Sequence, residues 1–145
     1  MIQRTLLDLN VLIALADQRH DLHQVARNWY ASFGKVDWGV CPFTEAGFVR
    51  VTTNPTFRPS PSTFVRATAL LQALKRLPGY RYWEIRESWV ALTAPFAARI
   101  SGHQQVTDAY LLGLAIKEDG VLVTFDRGIR YMAGTEFARN VLLLQ

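Results

Sequence analysis

The stretch LLDLNVLIALA, residues 6–16, decides how the chain is read. Ile2–Leu7 reads as a short buried strand. Val11–Ala16 suits the opening of a helix, and the polar pair Asp8 and Asn10 sits at the junction. A carboxylate at such a junction lies close to buried surface, and leaving it charged there without a partner is costly. Three other acids repeat the arrangement: Glu45 in CPFTEAGFVRV, Asp108 in QVTDAYLLGLA and Asp126 in VLVTFDRG. Each lies at an expected strand end or in the first turn of an expected helix.

Working outward, the chain alternates strand and helix. His20–Phe33 is helical by the spacing of Val25, Trp29 and Phe33, and Gly34 ends it. Trp38–Cys41 reads as a short strand before Pro42. Thr44 is a suitable N-cap for a helix through Glu45, Phe48 and Val51. Asn54–Pro61, with Pro55, Pro59 and Pro61, is a loop. Ser62–Leu77 is an amphipathic helix, Tyr80–Ile85 a strand, and Ser88–Ile100 a helix complicated by Pro95. Ser101–Gln105 is a polar loop, and Thr107 can cap a helix from Asp108 to about Glu118. Val121–Phe125 is a strand stopped by Asp126-Arg127-Gly128, and Val141–Leu144 is a last short strand.

The strands are continuous apolar runs, which predicts a mostly parallel sheet with helices on both faces, a single α/β domain spanning residues 1–145. In such folds ligands bind beyond the carboxyl ends of the strands. Asp8 and Asp126 fall at strand ends, and Glu45 and Asp108 fall in helices starting on that same edge. Singly, each acid has an ordinary explanation as a helix-dipole partner or a turn former. Converging, the four would make a strongly negative point that demands a hard cation such as Mg²⁺ or Mn²⁺. The other eight acids, Asp17, Asp21, Asp37, Glu84, Glu87, Glu118, Asp119 and Glu136, read as solvated faces.

Composition narrows the classes. With 145 residues, half of them apolar and 19% charged, the chain is long enough for one core and unlike a disordered polymer. Its single cysteine, Cys41, permits no internal disulfide, and no Cys/His cluster suits zinc. Asp8 and Asn10 interrupt the apolar N-terminus, which argues against an export signal, and no run approaches the ~18–20 residues of a membrane span. A cytoplasmic location with no membrane association is therefore expected. The net charge is +4, with thirteen arginines against three lysines, a usage that suits phosphate contacts and equally suits a biased genome.

The run LLDLNVLIALA, then TEAGFVRV, then RISGHQQVTDAYLLGLA, then LVTFDRGI, in that order, resembles PIN-domain ribonucleases. More narrowly it resembles the VapC toxins of type II toxin–antitoxin systems, in their mycobacterial-type branch. The likeness runs from Leu6 to about Ile129, and Asn54–Arg99 carries the least of it. It implies a three-layer α/β/α sandwich and a Mg²⁺-dependent endoribonuclease, with Mn²⁺ able to substitute, that cleaves tRNA or rRNA. It also implies that Asp8, Glu45, Asp108 and Asp126 form the metal pocket, with Asp8 and Asp108 the most direct ligands, Asp126 next and Glu45 the most variable. Asn10 and Thr124 match polar positions supporting that cluster. The expected partners are an RNA substrate, a VapB-type antitoxin with a DNA-binding part, and a second copy of the chain. A higher assembly with the antitoxin fits the same resemblance.

Three alternatives stand beside this reading. A PIN-like module could bind RNA or protein without cleaving. A histidine-based ribonuclease would need His20, His23 and His103 to pair, and their positions suggest no pairing. A phosphatase of the haloacid-dehalogenase type would want an acid where Asn10 stands. Arg50, Arg127 and Arg130 lie near the acids in sequence and suit either phosphate contact or neutralisation of the acids; the RNA-contacting residues stay unassigned.

Overall fold

Three parallel strands carry the molecule: β1 (Thr5–Leu7), β2 (Val121–Thr124) and β3 (Val141–Leu143), in the order β1-β2-β3. A computed structural model describes residues 3–57 and 61–145, so the expectations at Ile2 and Pro59 lie outside the described residues. The helices are α1 (Leu9–Ala16), α2 (His23–Trp29), α3 (Pro42–Thr53), α4 (Phe64–Lys75), α5 (Trp89–Thr93), α6 (Val106–Lys117) and α7 (Arg127–Ala133).

Period-two alternation divides the strands between two cores. Leu6 and Leu122 point to one side and join Leu92, Phe96, Leu112 and Ile129 from the second half of the chain. Leu7 and Val123 point to the other and join Val11, Leu12, Phe48, Leu71 and Leu74 from the first half. Helices α1–α4 thus cover one face and α5–α7 the other. The layers are α/β/α, and the strands are apolar on both sides because both sides are covered. Truncating a fully buried ring such as Trp38 or Phe48 would cost about 3–5 kcal/mol.

Two expected strands are present only as fragments. Trp38 and Tyr80 form a parallel bridge, as do Leu6 and Gly39. Hydrogen bonds from Leu7 N to Gly39 O (2.9 Å), Arg81 N to Trp38 O (2.8 Å) and Trp83 N to Val40 O (3.1 Å) extend the sheet past β1. The ladder ends at Cys41 because Pro42 opens α3, so neither segment reaches strand length. Gly39 allows this close pairing: a Cβ there would lie 1.9 Å from Arg81 O.

Several helix boundaries depart from expectation. Cys41, not Thr44, precedes α3, because Pro42 suits a first helical position; Thr44 is instead buried within the first turn. Thr107 does not cap α6, which continues directly from a 3₁₀ turn at His103–Gln105 and has no side-chain cap. The 88–100 helix breaks into α5 and a 3₁₀ segment at Ala94–Arg99, with Pro95 in its first turn and Phe96 off helical geometry. The segment 20–33 begins at His23 and ends in a π-helical turn, Tyr30–Gly34. Arg127–Ala133, given no element in the sequence, is α7: Asp126 Oδ1 accepts from Gly128 N at 2.7 Å and caps it. Asp37 is not solvated. It is 5% exposed, accepts from Thr5 N at 3.1 Å and pairs with Arg81 at 3.1 Å.

Candidate active site

The carboxyl ends of β1 and β2 lie side by side, since Leu7 pairs with Val123. The next residue of each strand therefore emerges at a common point. Asp8 follows β1 and its backbone N–H donates to Val123 O at 3.0 Å. It caps α1 in extended backbone geometry, with Oδ1 accepting from Leu9 N at 2.8 Å. Its other oxygen, Oδ2, accepts from Thr124 Oγ1 at 2.8 Å, and the same hydroxyl accepts from Asp126 N at 3.0 Å. Thr124, fully buried, thus ties the first acid to the last.

Asp108 arrives from the other layer, in the first turn of α6. Asp8, Asp108 and Asp126 line one cleft of about 230 Å³, together with Leu9, Asn10, Phe43, Thr44, Arg50, Thr107 and Leu111. Burial raises the Asp8 carboxyl above the ordinary range; the Thr124 and Leu9 hydrogen bonds work against this, and the Asp126 charge adds to it. Asp108 is pushed up to about 6 by burial and then by the charges of Asp8 and Asp126. The three carboxylates therefore share one electrostatic field.

Glu45 does not join them. It sits in the first turn of α3, but its carboxylate meets Lys75 Nζ of α4 at 2.5 Å, and neither residue lines the cleft. Lys75 is raised chiefly by that hydrogen bond. Asn10 stands at the cleft rim and is exposed. Arg127 and Arg130, both exposed on α7, are not among the lining residues, whereas Arg50 is. The histidines serve local structure: His20 Nδ1 accepts from Leu22 N at 3.0 Å, and His23 Nδ1 lies 2.7 Å from Ala14 O. His103 stands exposed in the turn before α6.

The donor set suits a hard, hydrated cation. Its oxygens are carboxylate and hydroxyl, and a positive charge among them relieves a mutual repulsion that burial strengthens. Among the described residues, no three acidic, His or Cys side chains are grouped tightly enough to ligate an ion by themselves. An ion held here would have to keep much of its own water, as Mg²⁺ ordinarily does.

Of the cleft residues, Phe43 was not singled out in the sequence, and Arg50 was left open between phosphate contact and neutralisation of the acids. Phe43 is 47% exposed on the cleft wall, its ring 5.0 Å from that of Tyr110. Arg50 follows it by seven positions, a spacing that returns to the same helix face. That periodicity was the available signal.

The PIN domain family model matches residues 5–135. The chain is 43% identical over 128 residues to Ribonuclease VapC38 of Mycobacterium tuberculosis, covering 88% of this chain and 89% of that one. It is 39% identical over 130 residues to Ribonuclease VapC44 of the same species, covering 90% and 91%. The fold matches VapBC2 from Rickettsia felis, solved bound to a DNA fragment from their promoter, with TM-score 0.64 at 12% identity, covering 97% and 98% of the two chains. FitAcB from Neisseria gonorrhoeae matches with TM-score 0.61 at 19% identity, covering 89% and 92%.

Proposed function

The chain belongs to the PIN-domain family, in its VapC branch, and from that premise we propose that it is a Mg²⁺-dependent endoribonuclease, the toxin of a type II toxin–antitoxin pair. The observation that carries this reading is the cleft where Asp8, Asp108 and Asp126 meet at the carboxyl end of the sheet. Asp8, buried, and Asp108, half-buried, repel one another and are the residues to hold the cation, with Asp126 beside them. Bound there, Mg²⁺ or Mn²⁺ supplies an activated water and neutralises charge growing on a phosphodiester. Thr124 fixes the orientation of Asp8 by donating to Oδ2. The apolar cleft wall at Leu9, Phe43 and Leu111 limits water around the carboxylates. Phe43, half exposed, offers a face to an unstacked base.

The substrate is structured RNA of the tRNA or rRNA class, and cleavage would stop translation. The partner is a VapB-type antitoxin, as the solved VapBC2 complex suggests, and the working unit is at least a homodimer. Exposed Val90, Val106 and Tyr131 provide apolar surface for such contacts. No helix among the described residues is long and apolar enough to cross a membrane, and the site of action is the cytoplasm, where tRNA and ribosomes are.

One observation favours a second reading, a PIN-like module that binds without cutting: Glu45 is engaged by Lys75 rather than turned to the cleft. RNA 5′-end mapping after induced expression, wild type beside Asp8→Asn, separates the two. New ends that require Asp8 and disappear in EDTA in vitro support the nuclease; identical maps remove it.

A further inference from the structure

Helix α3 carries both an acid, Glu45, and a base, Arg50, and the fold sends them in different directions. Phe43, Gly47 and Arg50 recur at the spacing of one helix face, whereas Glu45 is two residues from Phe43 and so lies about 200° around the helix. Phe43 and Arg50 line the carboxylate cleft; Glu45 faces α4 and meets Lys75. Gly47 keeps the lane open between them. A Cβ at Gly47 would sit 2.8 Å from Leu9 Cδ2 and 3.6 Å from an Arg50 guanidinium nitrogen. The Arg50 side chain therefore runs back over Gly47 toward the start of α3, where the cleft lies. Side chains on a helix lean toward its N-terminus, so this path costs no unusual geometry.

Arg50 is exposed and forms none of the ion pairs seen among the described residues. The arginines at the other end of the sheet, Arg4, Arg81 and Arg139, each have a carboxylate partner. A guanidinium held at an acidic cleft, yet unpaired, is available to an incoming phosphate.

We propose that Arg50, not Glu45, is the contribution of α3 to the reaction centre: Arg50 binds a phosphate of the RNA backbone at the cleft, while Glu45 and Lys75 join α3 to α4. This rests on the ribonuclease reading above and deepens it by naming a substrate contact. A phosphate bridging the guanidinium and a carboxylate-held cation would be drawn from both sides, which fixes the strand without reading its sequence.

The test reads binding and metal occupancy apart from turnover. Fluorescence anisotropy with a short labelled single-stranded RNA in EDTA measures binding without cleavage. Arg50→Ala is expected to weaken binding about tenfold at low salt and to lower the salt slope by about one contact. Arg50→Lys should recover the slope but only part of the affinity, because it lacks the planar fork. Mn²⁺ titration followed by electron paramagnetic resonance should place Glu45→Gln within about twofold of wild type and show Asp108→Asn losing the ion. Wild-type RNA affinity and slope in Arg50→Ala would overturn the proposal, as would a Glu45→Gln variant that loses Mn²⁺ like Asp108→Asn. If wild type binds RNA but never cuts it, and Arg50→Ala still weakens binding, the nuclease reading falls and the Arg50 contact stands. If wild type cuts RNA and Arg50→Ala binds unchanged, only the contact falls. A wild type that binds no RNA removes both.

Discussion

The two ends of the parallel sheet treat charge in opposite ways. At the amino end, acids meet arginines. Asp37 pairs with Arg81, Glu118 with Arg4 at 3.7 Å and Asp119 with Arg139 at 3.5 Å. Arg4 also lies over the Trp83 ring at 4.1 Å, and the grooves there are lined by both signs of charge. At the carboxyl end, acids meet acids: Asp8, Asp108 and Asp126 share a cleft, and their charges act on one another. Pairing marks the first end as structural. Repulsion left standing at the second end fits the proposed cation from outside, since folding gains nothing from assembling like charges. The grooves at the amino end, of about 630 and 640 Å³, are larger than the acidic cleft, yet their charges are already paired. Size alone therefore points to the wrong end.

The sharpest way to break this contrast is to remove charge at the carboxyl end. Asp108→Asn is expected to lower RNA cleavage on the order of 100-fold or more while leaving the fold intact, as circular dichroism and end mapping would show. A smaller effect comes from support rather than charge. Thr124→Val removes the hydroxyl between Asp8 Oδ2 and Asp126 N, and Mn²⁺ affinity should fall about tenfold by titration. At the amino end the same kind of change should register in stability and not in activity. Asp37→Ala strips Thr5 N and Arg81 of their partner and should cost about 2 kcal/mol in urea denaturation, with activity per folded molecule unchanged.

The pH dependence of metal-free protein is the smallest effect and carries a definite sign. Asp108, raised to about 6 from an ordinary 3.8, holds its proton to higher pH when folded than when unfolded. Its contribution to stability is present below about pH 4 and is lost as pH rises through about 6. In EDTA at pH 7.5, Asp108→Asn should therefore be more stable than wild type by about 1 kcal/mol after solvent screening, and the two should converge near pH 4. Melts showing the opposite order would mean that Asp108 is charge-stabilised in the fold, like the acids of the amino end.

The acids themselves could be found without coordinates because each interrupts or borders an apolar run. A single charge beside LLDLNVL or VLVTFD has an ordinary explanation as a cap or turn former, but four on one sheet edge have not, and the PIN pattern supplied their order. Asp37 could not be found the same way. Its neighbours Val36 and Trp38 resemble those of any loop-to-strand junction, and its burial depends on Thr5 and Arg81, far away in sequence. Helix α7 escaped notice because a strand followed by Asp-Arg-Gly reads as a turn, whereas Asp126 makes those residues a cap. The fragmentary strands at 38–41 and 80–85 were placed correctly but overextended, because their pairing length depends on where the partner segments diverge.

By itself, the sequence determined the alternation of elements, the apolar strands that require cover on both faces, and the acids at the strand ends. These are local properties, set by periodicity and by the cost of charge next to hydrocarbon. Which acids share a cleft was a matter for the tertiary structure alone. The register Leu7 opposite Val123 brings Asp8 toward Asp126, and the α3–α4 packing gives Glu45 a lysine. Electrostatic energy depends on distance through space, and that distance exists only once the sheet has aligned the strand ends and the helices have docked.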